Sequence, residues 1–396
     1  MKKNIGIFFG GQSAEHEISI ISAVQAIKAI DKNAFNVVPI YIDKDGIWYT
    51  GSWLLYIDNY RNYKELVSNC TRVMISLHAK DRKLYKYPQG IFKRAGVIAE
   101  IDIAFPVFHG TNGEDGSFQG VFEIMNIPYI SSNVLSSSVC MDKTIFKDIC
   151  KQNDIPVVNS ISFKAADYYQ KQDETCRTII DAIGLPCVVK PNNLGSSIGV
   201  TKVSNDVELK AAIEVACSYS NKVIVDECIL NLKELNCSVA KINGESICSE
   251  IEEPIINYDA VLSFSEKYLA SEKNEGMASL KRKLPAEISV QLKTQVESLS
   301  KKIYEYLGCS GVVRIDFLLD ENKQSLYLNE VNTIPGSLAF YLWEPKGKKF
   351  EGLINDLANT AIKEFAEKSN VKKVYVSNVL THLDGSKLSG KLGLKF

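Results

Sequence analysis

A multidomain α/β fold is the class this sequence predicts. Three observations predict it: a βαβ opening, polar glycine loops that follow buried strands, and two late apolar strands carrying charged residues at period two. Ile5 to Phe9 reads as the first buried strand. Gly10-Gly11-Gln12-Ser13-Ala14-Glu15-His16-Glu17 is a glycine turn into a helix from about Ala14 to Ile30, and Phe35 to Ile42 is the second strand. Residues 44–100 are mixed, with aromatic and hairpin-like pieces. Ile101 to Phe108 is another strand, and His109-Gly110-Thr111-Asn112-Gly113-Glu114-Asp115-Gly116 forms a loop before a helix over 118–125. Loops at the carboxyl ends of such strands are where open α/β sheets bind ligands.

A new unit starts near Met141-Asp142-Lys143, with a helix over 144–153 that stops before Ile155-Pro156. Cys187 to Lys190 is a strand, Pro191 to Gly199 a loop, Val200 to Val203 the return strand and 206–218 a helix. Val223 to Val225 leads to the acidic Asp226-Glu227. A third unit pairs 236–242 with 245–250 over Asn243-Gly244, a strong hairpin signal. A long polar loop occupies about 255–283, and a helix over 285–307 stops at Gly308. The two charged strands come next, then a helix at about 351–367 and a lysine-, serine- and glycine-rich tail. The expected units are 1–140, 141–230, 231–368 and an appended 369–396.

The late strands carry the strongest chemical signal. In Val312-Val313-Arg314-Ile315-Asp316-Phe317-Leu318-Leu319 the charges fall at 314 and 316, on one face. Glu330 and Asn332 repeat that spacing after the turn at 320–324. Asp316, Glu330 and Asn332 are thereby aimed at one place. Carboxylates with an amide oxygen suit Mg²⁺, which takes few protein ligands alongside substrate phosphates. The competing reading is a structural arginine–carboxylate network at a sheet edge.

Composition removes several classes. With 396 residues, 45% of them hydrophobic, and a net charge of −1, neither global disorder nor polyanion binding is favoured. Ten cysteines without a C-x-x-C pair fit reduced thiols rather than zinc ribbons or a disulfide framework. Four histidines leave little for a histidine metal site. The apolar run after Met1-Lys2-Lys3-Asn4 breaks at Gly10-Gly11, too short for a signal sequence, and no stretch is long enough to span a bilayer. A soluble, cytoplasmic protein with neither nucleic-acid nor membrane partner is expected.

Other residues gain meaning from their surroundings. Lys190 leaves a buried strand for the small-residue loop ending Leu194-Gly195-Ser196-Ser197-Ile198-Gly199, whose backbone N–H groups can surround phosphate oxygens. An ordinary β-turn is the bland alternative. Gly195-Ser196-Ser197-Ile198-Gly199 also matches the G-x-S-x-G of hydrolases, but that elbow needs a helix straight after it and a later histidine. A strand follows instead, and the only later histidine is His382 in the tail. Lys143 opens a helix, Glu15 is a first-turn carboxylate, and His109 sits in a glycine loop as a helix neighbour or substrate group. Ser265-Glu266-Lys267-Tyr268 lies in the long loop, a length typical of functional lids.

Together these stretches resemble the D-alanine–D-alanine ligase family of the ATP-grasp fold. They are residues 9–19, 109–120, 141–143, 189–199, 266–268, 314–316 and 329–336, and their order agrees over about 1–368. The segment at 44–100 is similar to that of longer members, including vancomycin-resistance ligases. The resemblance implies an ATP-grasp fold preceded by a Rossmann-like domain. It implies a reaction in which ATP phosphorylates the carboxylate of one D-alanine and the amine of a second displaces phosphate, for peptidoglycan precursors. It also implies that Glu15 holds the first ammonium and forms a triad with Ser196 and Tyr268. Lys143, Lys190, Ser197 and Lys267 would meet ATP phosphates, while Asp226, Glu227, Ile229 and Glu234 would form the adenine hinge and ribose contact. Asp316, Glu330 and Asn332 would carry two Mg²⁺ ions, with Mn²⁺ as a substitute. Arg314 and the Gly336 N–H would stabilise the oxyanion, and a homodimer is expected.

Two departures stand out. Relatives often read Glu-Lys-x-Leu at the hinge, where this chain is aligned as Asp226-Glu227-Cys228-Ile229, with Glu234 one residue late. After Pro335-Gly336, relatives carry a Ser-Leu pair for the second carboxylate. This chain has Tyr341-Leu342 there, inside Ser337-Leu338-Ala339-Phe340-Tyr341-Leu342-Trp343. D-Serine or another amino acid is therefore an alternative second substrate. Because the 255–283 loop contains no histidine, D-lactate is disfavoured. A regulator that binds nucleotide or amino acid without turnover is the alternative from a different class.

Overall fold

The computed structural model describes residues 2–79, 81–88, 95–255, 281–372, 375 and 377–382. Its strands form three sheets. In the first, β1 (Lys3–Gly10) lies parallel to both β2 (Phe35–Ile42) and β7 (Ile103–Pro106), and α1 (His16–Ala29) makes the crossover from β1 to β2. That sheet is extended antiparallel by β3 (Trp48–Thr50), β4 (Thr71–Ile75), β5 (Lys83–Lys86) and β6 (Val97–Glu100), with α2 (Tyr63–Ser68) between β3 and β4. The turn after β1 requires glycine: Gly10 has φ +89°, and a Cβ there would lie 2.2 Å from the Ile42 carbonyl oxygen. After β7 come α3 (Ser117–Met125), α4 (Val134–Met141) and α5 (Lys143–Gln152).

The second sheet is antiparallel, in the order β10 (Thr201–Val203), β9 (Cys187–Pro191), β11 (Lys222–Glu227), β8 (Ser160–Lys164). Period-two alternation splits its faces. Cys187, Val189, Val223 and Val225 are buried against α6 (Ala165–Gln170), α7 (Gln172–Ile183) and α8 (Asp206–Tyr219), while Val188, Lys190 and Asp226 face a cavity.

The third sheet runs β14 (Arg282–Lys283), β13 (Glu245–Pro254), β12 (Leu232–Ile242), β15 (Val312–Asp320), β16 (Ser325–Asn332). The β12–β13 hairpin turns through left-handed Asn243 and Gly244, φ 55° and 91°. Leu235, Cys237, Val313, Ile315 and Phe317 point into a core closed by α9 (Val290–Tyr306), which begins later than the sequence suggests. Phe146 and Cys150 of α5 join this core. The helix expected to open the 141–230 unit thus packs with the third sheet, because its apolar residues find their complement there. A further core unites α1, β1 and α10 (Phe350–Ser369) with Ile334 and the 338–343 segment, joining the first sheet to the third.

Candidate active site

The cleft face of the third sheet is ordered by strand register. Asn236 on β12 is opposite Asp316 on β15, which is opposite Glu330 on β16. One step on, Ser238, Arg314 and Asn332 form the next row. The Arg314 Nε and Nη2 donate to the two Asp316 oxygens at 2.7 Å each, and the Asn332 Nδ2 donates to Oδ2 at 3.0 Å. Burial and the facing Glu330 push the Asp316 carboxyl above its ordinary range, although Arg314 opposes them. Burial also works against charge on Glu330, but Lys143 (3.3 Å away) and Lys190 hold its carboxyl below the usual range. Like charges opposite one another on neighbouring strands repel. Two such carboxylates beside an amide oxygen fit a hard divalent cation with phosphate completing its shell. Among the described residues no group of three His, Cys, Asp or Glu side chains comes together as a metal cluster.

Two cavities adjoin this row. One, of about 400 Å³, lies between the second and third sheets and is lined by Val188, Lys190, Glu227, Leu230, Glu234 and Leu318, among others. The other, of about 200 Å³, holds Glu15, His109, Glu114, Arg314, Asp316 and Gly336. Ser196, Ser197, Glu234 and Glu330 border both. Asp142 caps α5 by accepting the N–H groups of Thr144 and Ile145, which sets Lys143 at the first helical position. Its Nζ donates to the Leu194 carbonyl at 2.7 Å, so the lysine braces the 191–199 loop. Ser196 and Ser197 are left-handed, φ 51° and 58°, and the Ser196 hydroxyl donates to Glu15 Oε1. A strand follows Gly199, so the loop is no hydrolase elbow. Burial raises the Glu15 pKa, opposed by Ser196 and reinforced by Glu330.

A buried network not singled out from the sequence holds the far wall. Glu114 accepts the Gly110 N–H at 2.9 Å and the Ile334 N–H at 3.1 Å. Burial, with neighbouring Glu15, pushes its carboxyl up to about 8. Gly110 leaves room for that arrangement, since a Cβ would sit 2.6 Å from Glu15 Oε2. His109 spends both ring nitrogens on protein groups: Nδ1 on the Ile334 carbonyl and Nε2 on Ser22 Oγ, both at 2.8 Å. Ser22 Oγ also accepts the Ser337 N–H at 3.0 Å. His109 therefore lines the smaller cavity and braces the 334–337 backbone. The signal for Glu114 was its place in the same glycine loop as His109.

Three expectations change. Asp226 lines the larger cavity, but it is 2% exposed and its carboxylate is bound by Lys147 and Lys190 at 2.5 and 2.9 Å. The connection from the second sheet to the third starts at Glu227, the last residue of β11, and runs on through Cys228, Ile229 and Leu230 along the cavity. Glu227-Cys228-Ile229-Leu230 is thus the connection along the cavity, one residue later than the run expected for the hinge, and it ends on a leucine. Tyr341 and Leu342 are buried and line neither cavity. Leu342 joins the core with α1 and α10, while the Tyr341 hydroxyl meets Glu252 at 3.3 Å beneath the Arg282 guanidinium. The cavity wall there is Ile334, Pro335 and Gly336. Lys267 and Tyr268 lie outside the described residues.

A cavity of about 400 Å³ between two antiparallel sheets is thus joined by an acidic row to a smaller one of about 200 Å³. The D-ala D-ala ligase N-terminus family matches residues 4–132, and the D-ala D-ala ligase C-terminus family matches 149–359. The chain is 38% identical to the D-alanine–D-alanine ligase of Thermosipho melanesiensis, over 93% of this chain and 96% of that one. It is 39% identical to that of Thermosipho africanus, over 94% and 96%. Among solved structures, the D-alanine-D-alanine ligase from Coxiella burnetii superposes with TM-score 0.75 at 27% identity, covering 93% of this chain and 96% of that one. VanG D-Ala:D-Ser ligase from Enterococcus faecalis does so with TM-score 0.75 at 30% identity, covering 91% and 100%. The chain belongs to the D-alanine–D-alanine ligase family.

Proposed function

We propose that this protein uses ATP to join D-alanine to a second D-alanine for cell-wall precursors. The observation that carries the reading is the acidic row of Asp316, Glu330 and Asn332 at the junction of the two cavities, with Arg314 beside it. The first D-alanine binds with its ammonium at Glu15, held by Ser196. Its carboxylate oxygen attacks the γ-phosphorus of ATP, and ADP leaves. The second amine attacks the acyl carbon, loses a proton, and phosphate departs. Arg314 and the Gly336 N–H face the charge that develops on the carbonyl oxygen. Lys143, Lys190, Ser197 and Lys267 bind phosphates; Glu227, Ile229 and Glu234 serve adenine and ribose. Asp316, Glu330 and Asn332 would hold two Mg²⁺ ions, whose chemistry when bound is neutralisation of phosphate charge.

D-Serine as second substrate is the other reading. It is supported by the likeness to the VanG D-Ala:D-Ser ligase, 30% identical over 91% of this chain. A homodimer in the cytoplasm accompanies either reading; no helix among the described residues is long and apolar enough to cross a membrane. Competing D-alanine against D-serine with ATP and Mg²⁺, followed by product mass analysis, separates them. Predominant D-alanyl-D-alanine supports the first reading, and predominant D-alanyl-D-serine replaces it with the second.

A further inference from the structure

Lys147 takes no part in the chemistry above, yet it is 2% exposed and lies behind Asp226, a residue of the larger cavity's wall. It follows Lys143 by one helical turn, so the two lysines share a face of α5. Its Nζ binds Asp226 Oδ1 at 2.5 Å, while Lys190 Nζ binds Oδ2 of the same carboxylate at 2.9 Å. One buried aspartate therefore holds two lysines, and only one of them, Lys190, lines the cavity. Burial opposes the charge of Asp226, but the two lysines keep its carboxyl below the usual range. Burial lowers Lys147 to about 8, against the pull of Asp226.

The arrangement solves a problem of charge. A lysine that is to meet a phosphate must leave its carboxylate, and a buried carboxylate left alone is strongly disfavoured. With Lys147 in place, Asp226 keeps a partner when Lys190 turns to phosphate. We propose that Lys147 is a positioning residue for nucleotide binding: it neutralises Asp226 and so frees Lys190 for the phosphates of ATP. The proposal rests on the reading of this cavity as the ATP site. Lys147 itself need not touch the nucleotide.

The test is isothermal titration of the full chain with ATP and with adenosine, in Mg²⁺, for wild type, K147M, K147R and the double variant K147M/D226N. K147M should weaken ATP by about tenfold or more, about 1.4 kcal/mol at the lower bound. Adenosine affinity should change less than about twofold, because no phosphate calls on Lys190. K147R keeps the charge and should retain most of the ATP affinity. D226N in the K147M background removes the need for a counter-charge and should restore it. Equal weakening of ATP and adenosine, unchanged ATP affinity in K147M, or no restoration in the double variant would overturn the proposal. If K147M does not fold, the comparison rests on the double variant, where ATP affinity well below wild type with adenosine unchanged overturns it. Failure of the wild type to bind ATP would instead sink the assignment of the cavity.

Discussion

The strands β15 and β16 and the segment that follows them, residues 336–342, lie side by side but follow different rules. On the strands side chains alternate between faces, apart from a bulge at Asn329 between Leu328 and Glu330, and register places Asp316 across from Glu330. In the segment, Ser337, Leu338 and Ala339 take left-handed φ of 52°, 52° and 49° without a glycine among them. Such backbone persists only where its surroundings enforce it. Here Ser22 takes the Ser337 N–H, and the core of α1 and α10 takes Leu338 and Ala339. Local pattern governs the first region and tertiary contact the second.

Three substitutions test that contrast, from the largest expected effect downward. Glu330→Gln keeps the shape of a strand residue and removes one charge from the acidic row. Turnover should fall by about 10³-fold, the order seen when a preorganised electrostatic group is removed. Chemical denaturation should move little, and near-normal turnover would break the assignment of the row.

His109 braces the backbone between β16 and that segment, through Ile334 and, by way of Ser22, through Ser337. Burial holds its pKa down at about 4, against 6.5 for an ordinary histidine. The folded state thus keeps the ring neutral where the unfolded chain protonates. Stability from this group is present above pH 6.5 and is lost as pH falls towards 4. The shift corresponds to about 3 kcal/mol. Wild type should lose about that much more stability than His109→Gln between pH 6.5 and 4, measured by urea denaturation. Parallel losses in both proteins would mean the ring is not held neutral.

Tyr341→Phe has the smallest effect. It removes the hydroxyl contact to Glu252 and leaves the ring beneath Arg282. About 1 kcal/mol of stability should go, with the KM of the second amino acid within about twofold of wild type, since the side chain does not line the cavity. A tenfold rise in that KM at unchanged stability would return Tyr341 to the substrate pocket.

The same division explains what was legible in the sequence. The βαβ opening, the hairpin over Asn243-Gly244 and the convergence of Asp316, Glu330 and Asn332 follow from local pattern and were readable. The connection from the second sheet to the third starts one residue later than expected, because Asp226 looks like an end-of-strand acid until Lys147, 79 residues earlier, is seen to bind it. The burial of Leu342 and the packing of α5 against the third sheet depend on partners distant in the chain. Glu114 was visible as a letter in a glycine loop, but its two backbone donors, one of them at Ile334, were not.

The most direct test follows an oxygen atom. D-Alanine labelled with ¹⁸O in its carboxylate is supplied with ATP and Mg²⁺, and the released phosphate is weighed by mass spectrometry. An acyl phosphate route moves one labelled oxygen from each activated D-alanine to phosphate as the dipeptide forms. Unlabelled phosphate, or none with any pair of D-amino acids, would contradict the ligase reading.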